Sequence, residues 1–318
     1  MSGSFSKIDY SIRPAKYAER RMLRDIFRRT SAFQPAEQYT YVGFGSVWFS
    51  DFILFHRSLG IQKMVSIESA RSAERRVRDN VPFRIDLHFD RAAKVLPTLS
   101  WGERQFIWLD YDDAMSPETL RDVRTAAGRL RSGSLLAVSF RCSAAREVDQ
   151  ADVDDSISAM DRFRERFSSS QIPADVSEED LTGWPFASVT RRMIESEVEA
   201  ALNVRNSAST QDLVHAHTIC AFNYQDGAMM TTWVGIVYAD SEADKFEACA
   251  FETLDFMRED GEPLHISVPK LTAGEFKRLE AQLPLKMGPL ALGSIPLKEA
   301  DAFWKFYRYF PSFVVSES

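Results

Sequence analysis

The sequence predicts an α/β protein with a doubly wound, mostly parallel seven-stranded sheet that ends in an antiparallel hairpin. Short apolar runs alternate with helical segments four times between residues 39 and 140, which is typical of parallel strands covered by helices. Two later strand-like runs, 217–224 and 231–239, flank Asp226-Gly227, a hairpin signal. The chain has 318 residues, of which 45% are hydrophobic and 27% charged, enough for a sizeable core.

The individual elements follow from apolar spacing and from start and stop signals. The first helix, 14–30, has proline at its first turn, and Gly60 ends the second helix. Ser116 is the expected N-cap of a later helix. The alternating strands are predicted at 39–44, 64–68, 84–89, 105–110 and 134–140, and the helices between and after them at 49–60, 71–80, 91–99 and 116–130.

Changes in pattern divide the chain into a main domain and two flanking segments. We expect an N-terminal basic helical segment at 1–37 and a Rossmann-like domain at 38–240. A polar, acidic stretch at 141–190 reads as a helical insertion over the sheet, and 191–203 as a helix. Residues 241–318 are predicted to form a small α/β cap.

The segment YTYVGFGSVWFSD at 39–51 breaks a strand with Gly43 and Gly45 and continues as a helix. Glycines there let the backbone approach a ligand closely, and the helix that follows presents N–H groups. Glu68 ends the next strand, where a carboxylate can accept hydrogen bonds from ribose hydroxyls. A nucleotide-type ligand beyond the strand ends is therefore favoured over an empty turn.

Acidic residues recur at the next two strand ends. Asp90 follows the third strand in LHFDRAAKVLPTL, where it is expected to cap a helix and to meet a base amino group. The fourth strand exits as FIWLDYDDAM, with Asp110, Asp112 and Asp113 clustered. In an alternative interpretation, Asp110 only positions the cofactor, while Asp112 and Asp113 begin the next helix.

These motifs, taken in order, resemble those of class I S-adenosylmethionine-dependent methyltransferases, in a divergent, O-methyltransferase-like form. YVGFGS resembles the first motif of that superfamily, SIE the acidic ribose-binding motif, HFDRAAKVLP the GDAxxxLP segment and FIWLDYD the fourth-strand motif. The resemblance implies catalysis by Asp110 or Asp112 and S-adenosylmethionine as cofactor. The cofactor-binding residues it implies are Gly43, Phe44, Gly45, Ser46, Glu68, Ser69, Asp90, Arg91, Asp110 and Tyr111.

Departures from the family pattern narrow the chemistry. The fifth strand exits as SFRCS without a carboxylate, so we expect no catalytic metal of the divalent-metal O-methyltransferase type. The prolines of the amino-methylating DPPY motif are absent from Asp110-Tyr111-Asp112. His215 and His217 lie two residues apart, but no third metal ligand of suitable spacing follows. The resemblance implies that the methyl acceptor is an oxygen or a nitrogen of an unidentified substrate.

Several segments are candidates for contacting a substrate or a partner. Arg13 and Lys16 on the first helix are expected to present cations to a carboxylate or phosphate of the substrate. The basic helices at 13–30 and 71–79 are candidates for a local nucleic-acid or phosphate site, and the preferred alternative is a solvated helix face stabilised by charge pairs. The insertion and the aromatic run FWKFYRYF are candidate protein-contact surfaces.

Bulk composition excludes other classes. The net charge of −7 argues against a protein that coats nucleic acid or anionic membrane. Three cysteines without a CxxC pair suit a reducing compartment, and no run reaches the roughly 18 apolar residues of a membrane span. We expect a cytoplasmic protein without a membrane partner.

Two other functional classes remain open from sequence. One is a non-catalytic Rossmann-like module that senses a nucleotide or serves as a subunit of an assembly, including one on nucleic acid. The other is a nicotinamide-dependent oxidoreductase, although Trp48 stands near a position where such a fold requires a small residue.

Overall fold

The computed structural model describes residues 13–142, 157–208, 211–284 and 290–310. The predictions for 1–12, 143–156, 285–289 and 311–318, at the ends of the chain, in the insertion and in the cap, lie outside the described residues. None of the described helices is long and apolar enough to cross a membrane.

One sheet runs through the molecule. Its strands are β1 (Thr40–Gly43), β2 (Lys63–Ile67), β3 (Asp86–His88), β4 (Gln105–Ala114), β5 (Ser134–Arg141), β6 (Val214–Asp226), β7 (Ala228–Ala239) and β8 (Leu264–Ile266). They are ordered β3-β2-β1-β4-β5-β7-β6-β8, with β7 antiparallel to both neighbours and the other pairs parallel. The predicted doubly wound sheet with its final hairpin is confirmed. The structure adds an eighth strand beside β6, within the segment predicted as a cap.

Helices cover both faces of the sheet. They are α1 (Pro14–Arg29), α2 (Ser50–Leu59), α3 (Glu74–Asp79), α4 (Ala92–Val95), α5 (Pro117–Arg129), α6 (Ala159–Arg166), α7 (Gly183–Ser207), α8 (Ala243–Ala248), α9 (Ala273–Glu280) and α10 (Leu297–Phe306). Helices α1, α2 and α3 pack on one face, and α4 to α7 pack on the other. Helices α9 and α10 share a smaller apolar cluster of their own.

The strands are buried on both faces, which explains why the sequence shows continuous apolar runs. Tyr41 and Trp108 face the cluster formed with α1 and α2, whereas their neighbours Val42 and Leu109 face the cluster formed with α5 and α7. Successive side chains of a strand point to opposite faces, so a parallel sheet between two helical layers needs an apolar residue at nearly every position.

Three strands, β4, β6 and β7, extend beyond their predicted bounds. Strands β6 and β7 are longer than predicted and are joined at Gly227, whose φ of 95° suits glycine. Strand β4 continues to Ala114, so the interpretation that placed Asp112 and Asp113 at a helix start is wrong. Strand β4 extends because β5 is long enough to pair with it. The pairing continues past an irregular register to Ala114 of β4 and Arg141 of β5.

A buried arginine fixes the edge of the molecule opposite the strand exits. The guanidinium of Arg104 donates to the carbonyl oxygens of Ser132 at 2.7 Å and Phe33 at 3.3 Å, and to both carboxylate oxygens of Glu242 at 2.7 and 2.9 Å. Burial opposes the charged form of Glu242, but hydrogen bonds from Lys245, Ser132 and Arg104 outweigh it and lower its pKa to about 2. One side chain thus joins the segments that precede β1, β5 and α8.

We expect Arg104→Met to lower the free energy of unfolding by about 3 kcal/mol, because a nearly buried carboxylate and two carbonyls lose their donor. Urea unfolding measures this. Lys63→Met, which breaks the exposed pair of Lys63 with Glu103, is the control and should cost no more than about 1 kcal/mol. Equal losses of unfolding free energy in the two variants would contradict the stabilising role assigned to buried Arg104.

Candidate functional site

A cleft opens where the chain order of the sheet reverses. Strand β1 lies between β2 and β4, and ligands of open α/β sheets bind beyond the carboxyl ends of the strands at such a point. The cleft has a volume of about 1060 Å³. The cleft is lined by the residues that follow β1, β2 and β3, by the carboxyl-terminal half of β4 and by the starts of α2 and α5. One side chain each of α1, β5 and α6 also lines it.

The turn between β1 and α2 is too tight for a side chain at its second glycine. A Cβ atom on Gly45 would lie 2.5 Å from the ring of Phe49 and 2.9 Å from Ser66 Oγ. Ser46 and Phe49 adopt positive φ angles of 49° and 46°, which are uncommon outside glycine. Only glycine therefore fits at position 45, and Gly45 and Ser46 line the cleft.

Glu68 is held against that turn. Its Oε1 accepts hydrogen bonds from the backbone N–H of Ser46 at 2.9 Å and from the hydroxyl of Ser66 at 2.7 Å. Burial raises the pKa of Glu68 to about 7, although both of those hydrogen bonds act in the opposite direction. Both bonds use Oε1 while the residue lines the cleft, so Oε2 is the oxygen suited to a ligand.

A buried cation and a buried anion lie together in the same cleft. Arg20 of α1 and Asp51 of α2 are each 8% exposed, and both line it. Tyr41 donates its hydroxyl to Asp51. Burial raises the pKa of Asp51, and the charge of Arg20 opposes that rise. Within the part of the chain that the structure describes, Arg20 Nε is buried without a hydrogen-bond partner.

Beneath the cleft floor, Lys16 of α1 binds two carboxylates. Its ammonium lies 2.5 Å from Asp110 Oδ1 and 2.8 Å from Glu19 Oε2, and it donates to the Tyr224 hydroxyl at 3.0 Å. It also lies 4.4 Å from the centroid of the Trp108 ring. Burial raises the pKa of Glu19, and Lys16 opposes this. The Lys16 side chain is 2% exposed, whereas Asp110 is 22% exposed and faces the cleft.

The wall next to Asp110 carries a second hydrogen-bonded pair. Tyr111 donates its hydroxyl to Asp122 at 2.7 Å, and burial raises the pKa of Asp122 to about 6. The ring of Phe44 meets the Tyr111 ring edge-on, with centroids 5.2 Å apart. Aromatic rings thus line the cleft on both sides of the switch point.

At the rim, Asp90 is tied to its surroundings. It accepts from the backbone N–H of Arg91 at 2.9 Å, and it forms ion pairs with Arg71 at 3.3 Å and Lys94 at 3.5 Å. The hydrogen bond from Arg91 is the main cause of its lowered pKa, and Lys94 and Arg71 contribute. Asp90 therefore presents an ionised carboxylate to the cleft.

The structure brings most of the predicted site residues together. The cleft is lined by Phe44, Gly45, Ser46, Glu68, Ser69, Asp90, Arg91, Asp110, Tyr111 and Asp112. Gly43 ends β1 just before it. Arg13 lies near Asp226, and the Lys16 ammonium lies under the floor, so neither side chain lines the cleft. The functional roles of all these residues stay predictions.

Sequence reasoning missed several charged residues of the cleft: Arg20, Asp51, Asp122, Arg141 and Arg166. One signal for Arg20 was present, because Lys16, Glu19 and Arg20 share one face of α1 at spacings of three and four. A charged triplet on a face that contacts the sheet indicates buried ionic contacts rather than solvated charges.

The basic helices carry many internal ion pairs. Arg24 lies 2.7 Å from Asp25 on α1, and Arg78 lies 2.8 Å from Glu74 on α3. These pairs agree with the solvated-face alternative, and the nucleic-acid contact stays a prediction. His215 lies 2.7 Å from Asp240, and no group of three or more metal-ligating side chains occurs among the described residues.

Comparisons with known proteins give one family match. A family model described as "Putative O-methyltransferase" matches residues 8–318. No curated protein matches the chain.

Solved structures with similar folds are distant in sequence. The O-methyltransferase TomG from Streptomyces achromogenes, involved in tomaymycin synthesis and solved with SAM, is 15% identical; 68% of this chain and 78% of that chain are covered, with a TM-score of 0.35. An O-methyltransferase from Bacillus cereus in complex with SAH is 12% identical; 68% of this chain and 80% of that chain are covered, with a TM-score of 0.36. Trm1 from Pyrococcus horikoshii with S-adenosyl-L-methionine is 14% identical; 78% of this chain and 61% of that chain are covered, with a TM-score of 0.45.

We expect Lys16→Met to lower the free energy of unfolding by about 3–5 kcal/mol at neutral pH, because two carboxylates lose their shared cation. Without Lys16, the pKa of buried Glu19 rises further above its unfolded value. A raised folded pKa means that stability is recovered as the pH falls and Glu19 becomes neutral. Urea unfolding near pH 8 and near pH 5.5 measures the difference.

The control is the double variant Lys16→Met/Glu19→Gln, which removes the buried charge that the single change leaves behind. It should be more stable than Lys16→Met alone at the higher pH. A loss that is the same at both pH values and in both variants would mean that the network is not ionic.

Proposed function

Because the chain belongs to the family described as Putative O-methyltransferase, we propose that it transfers the methyl group of S-adenosylmethionine to an oxygen atom of its acceptor. The family supports the reaction class, and the cleft supports the identity of the donor molecule. The acceptor molecule is unidentified.

The arrangement of charge in the cleft carries the proposal. S-adenosylmethionine has an α-carboxylate and an α-ammonium at one end and a ribose with two hydroxyls nearer the other. Arg20 and Asp51 are a buried cation and anion that match the amino-acid end. Glu68, which accepts a hydrogen bond from the backbone of the Gly45-Ser46 turn, matches the ribose hydroxyls. A ligand with only phosphate groups would leave Asp51 and Glu68 facing like charge.

We assign the remaining contacts from the same geometry. Asp90 at the end of β3 is placed to accept from an amino group of the base, and the rings of Phe44 and Tyr111 supply apolar surface. The sulfonium supplies an activated methyl group when the donor is bound, so the protein has mainly to align the acceptor and accept its proton.

Two carboxylates divide that work in our proposal. Asp110 Oδ1 is already engaged by Lys16, so Asp110 is suited to hold and orient the acceptor hydroxyl through its second oxygen. Asp112, two residues further along β4 and exposed, is the candidate proton acceptor. Both side chains lie on the cleft lining, where the donor and the acceptor have to meet.

We expect Glu68→Gln to weaken binding of S-adenosylmethionine and S-adenosylhomocysteine roughly tenfold to hundredfold, because a hydrogen bond to a charged group contributes about 1.5–3 kcal/mol. Isothermal titration calorimetry measures both ligands. Glu37→Gln, which changes an exposed glutamate outside the cleft, is the matched control and should bind like the wild type.

The opposing outcomes separate the competing functions. Unchanged affinity in Glu68→Gln would overturn the ribose assignment. Saturable binding without methyl transfer to any fraction of a cell extract would favour the non-catalytic module. Preferential binding of NAD would favour an oxidoreductase.

Affinity for S-adenosylhomocysteine should rise with pH through neutrality. The pKa of Glu68 is raised to about 7, so below that pH its carboxyl is mostly neutral and must lose a proton before it can accept two hydroxyl hydrogen bonds. Affinity should fall roughly tenfold per pH unit below this pKa and level off above it. Titrations between about pH 5.5 and about pH 8.5 test this, and the slope should disappear in Glu68→Gln.

A further inference from the structure

Beyond the residues assigned to the donor, two arginines mark the other side of the cleft. They are Arg141 at the end of β5 and Arg166 at the end of α6, and both line the cleft. Arg141 belongs to the SFRCS exit of the fifth strand, where the sequence suggested no role for it, and neither arginine is assigned to donor binding.

Arg141 is half-buried at a strand exit. It is the last residue of β5, and its backbone pairs in register with Ala114, the last residue of β4. Its Nε atom is buried and has no hydrogen-bond partner within residues 13–142, 157–208, 211–284 and 290–310. Such a donor costs free energy unless a ligand or water satisfies it. Its position places it beyond Asp110 and Asp112 along the same pair of strands.

Arg166 reaches the cleft from a different layer of the protein. Its guanidinium lies 5.7 Å from the centroid of the buried Phe167 ring. No carboxylate of the described residues lies within ion-pair distance of Arg166. Aromatic contact of this kind orients a guanidinium while leaving its N–H donors available to an oxyanion.

Two other charged residues of the cleft lining already have partners within the protein. Arg91 forms an ion pair with Glu118 at 3.5 Å, and Asp122 accepts from Tyr111 at 2.7 Å. Because these residues already have partners, Arg141 and Arg166 are the cations of the cleft that are suited to a ligand. They converge on one cleft from β5 and from α6, two elements that are far apart in sequence.

We propose that the methyl acceptor is an anion, and that Arg141 and Arg166 bind its carboxylate or phosphate group. Guanidinium groups present paired N–H donors in a plane, a geometry that matches both oxyanions. Held there, the acceptor directs its hydroxyl toward Asp110 and Asp112 on β4. The inference rests on the proposed function, since it names the substrate class of that same cleft.

The test uses small anions and a neutral analogue. Calorimetry measures binding of inorganic phosphate, benzoate and phenyl phosphate, with benzamide as the neutral probe, both in the absence of S-adenosylhomocysteine and at saturation. The proteins are the wild type, Arg166→Gln, Arg141→Gln/Arg166→Gln, and Arg57→Gln, an exposed arginine outside the cleft, as the control.

At least one anion should bind the wild type and Arg57→Gln. Its affinity for the double variant should be roughly tenfold or more lower, which corresponds to a loss of about 1.4 kcal/mol or more. Benzamide should not bind. The preferred anion distinguishes a carboxylate from a phosphate acceptor. Affinity for S-adenosylhomocysteine should be unchanged in every variant, which also shows that each is folded.

Three results overturn the inference: no anion binds the wild type, the double variant binds the anions equally well, or benzamide binds as tightly as benzoate. Failure of the proposed function looks different. The wild type would then bind no S-adenosylhomocysteine, while binding of the anions to the protein without that ligand still decides the role of the two arginines.

Discussion

The buried contact between Lys16 and the carboxylates of Asp110 and Glu19 is the constraint on which the site depends. A lysine with 2% of its side chain exposed is stable in the charged form only if partners replace its hydration, and here two carboxylates, a hydroxyl and an indole ring do so. This requirement fixes α1 over the carboxyl end of β4. The side chain of Asp226 reinforces it by accepting from the backbone N–H of Lys16 at 2.9 Å.

The position of α1 has a second consequence, four residues further along the helix. Arg20 follows Lys16 by about one helical turn, so the contact that anchors Lys16 also carries the Arg20 guanidinium to the cleft. There it lies near Asp51, whose carboxylate is held by the hydroxyl of Tyr41. One helix from outside the alternating βα repeats thus both supports the carboxyl end of β4 and places a charged side chain in the cleft.

Burial rather than net charge sets the electrostatics of the cleft. The pKa values of Glu68 and Asp122 are raised to about 7 and about 6 by loss of hydration, whereas the pKa of exposed Asp90 is lowered by the backbone and cations around it. Acidic side chains lining one cleft therefore lose their protons at different pH values. The two half-buried arginines, Arg141 and Arg166, add positive charge to the same cleft from β5 and α6.

The sequence by itself determined the sheet and the glycines and acids at strand ends that line the cleft. Apolar runs at 105–110 and 134–140 predicted buried parallel strands because both faces of such strands are covered, and the glycines and acids at strand ends depend only on local backbone geometry. The continuation of β4 past Asp110, the burial of Lys16 and the convergence of Arg20, Arg141 and Arg166 were decided only by the tertiary structure. Each depends on pairing or charge neutralisation between segments distant in sequence. The order of residues alone does not show which of the charged side chains will lie together in a low-dielectric site.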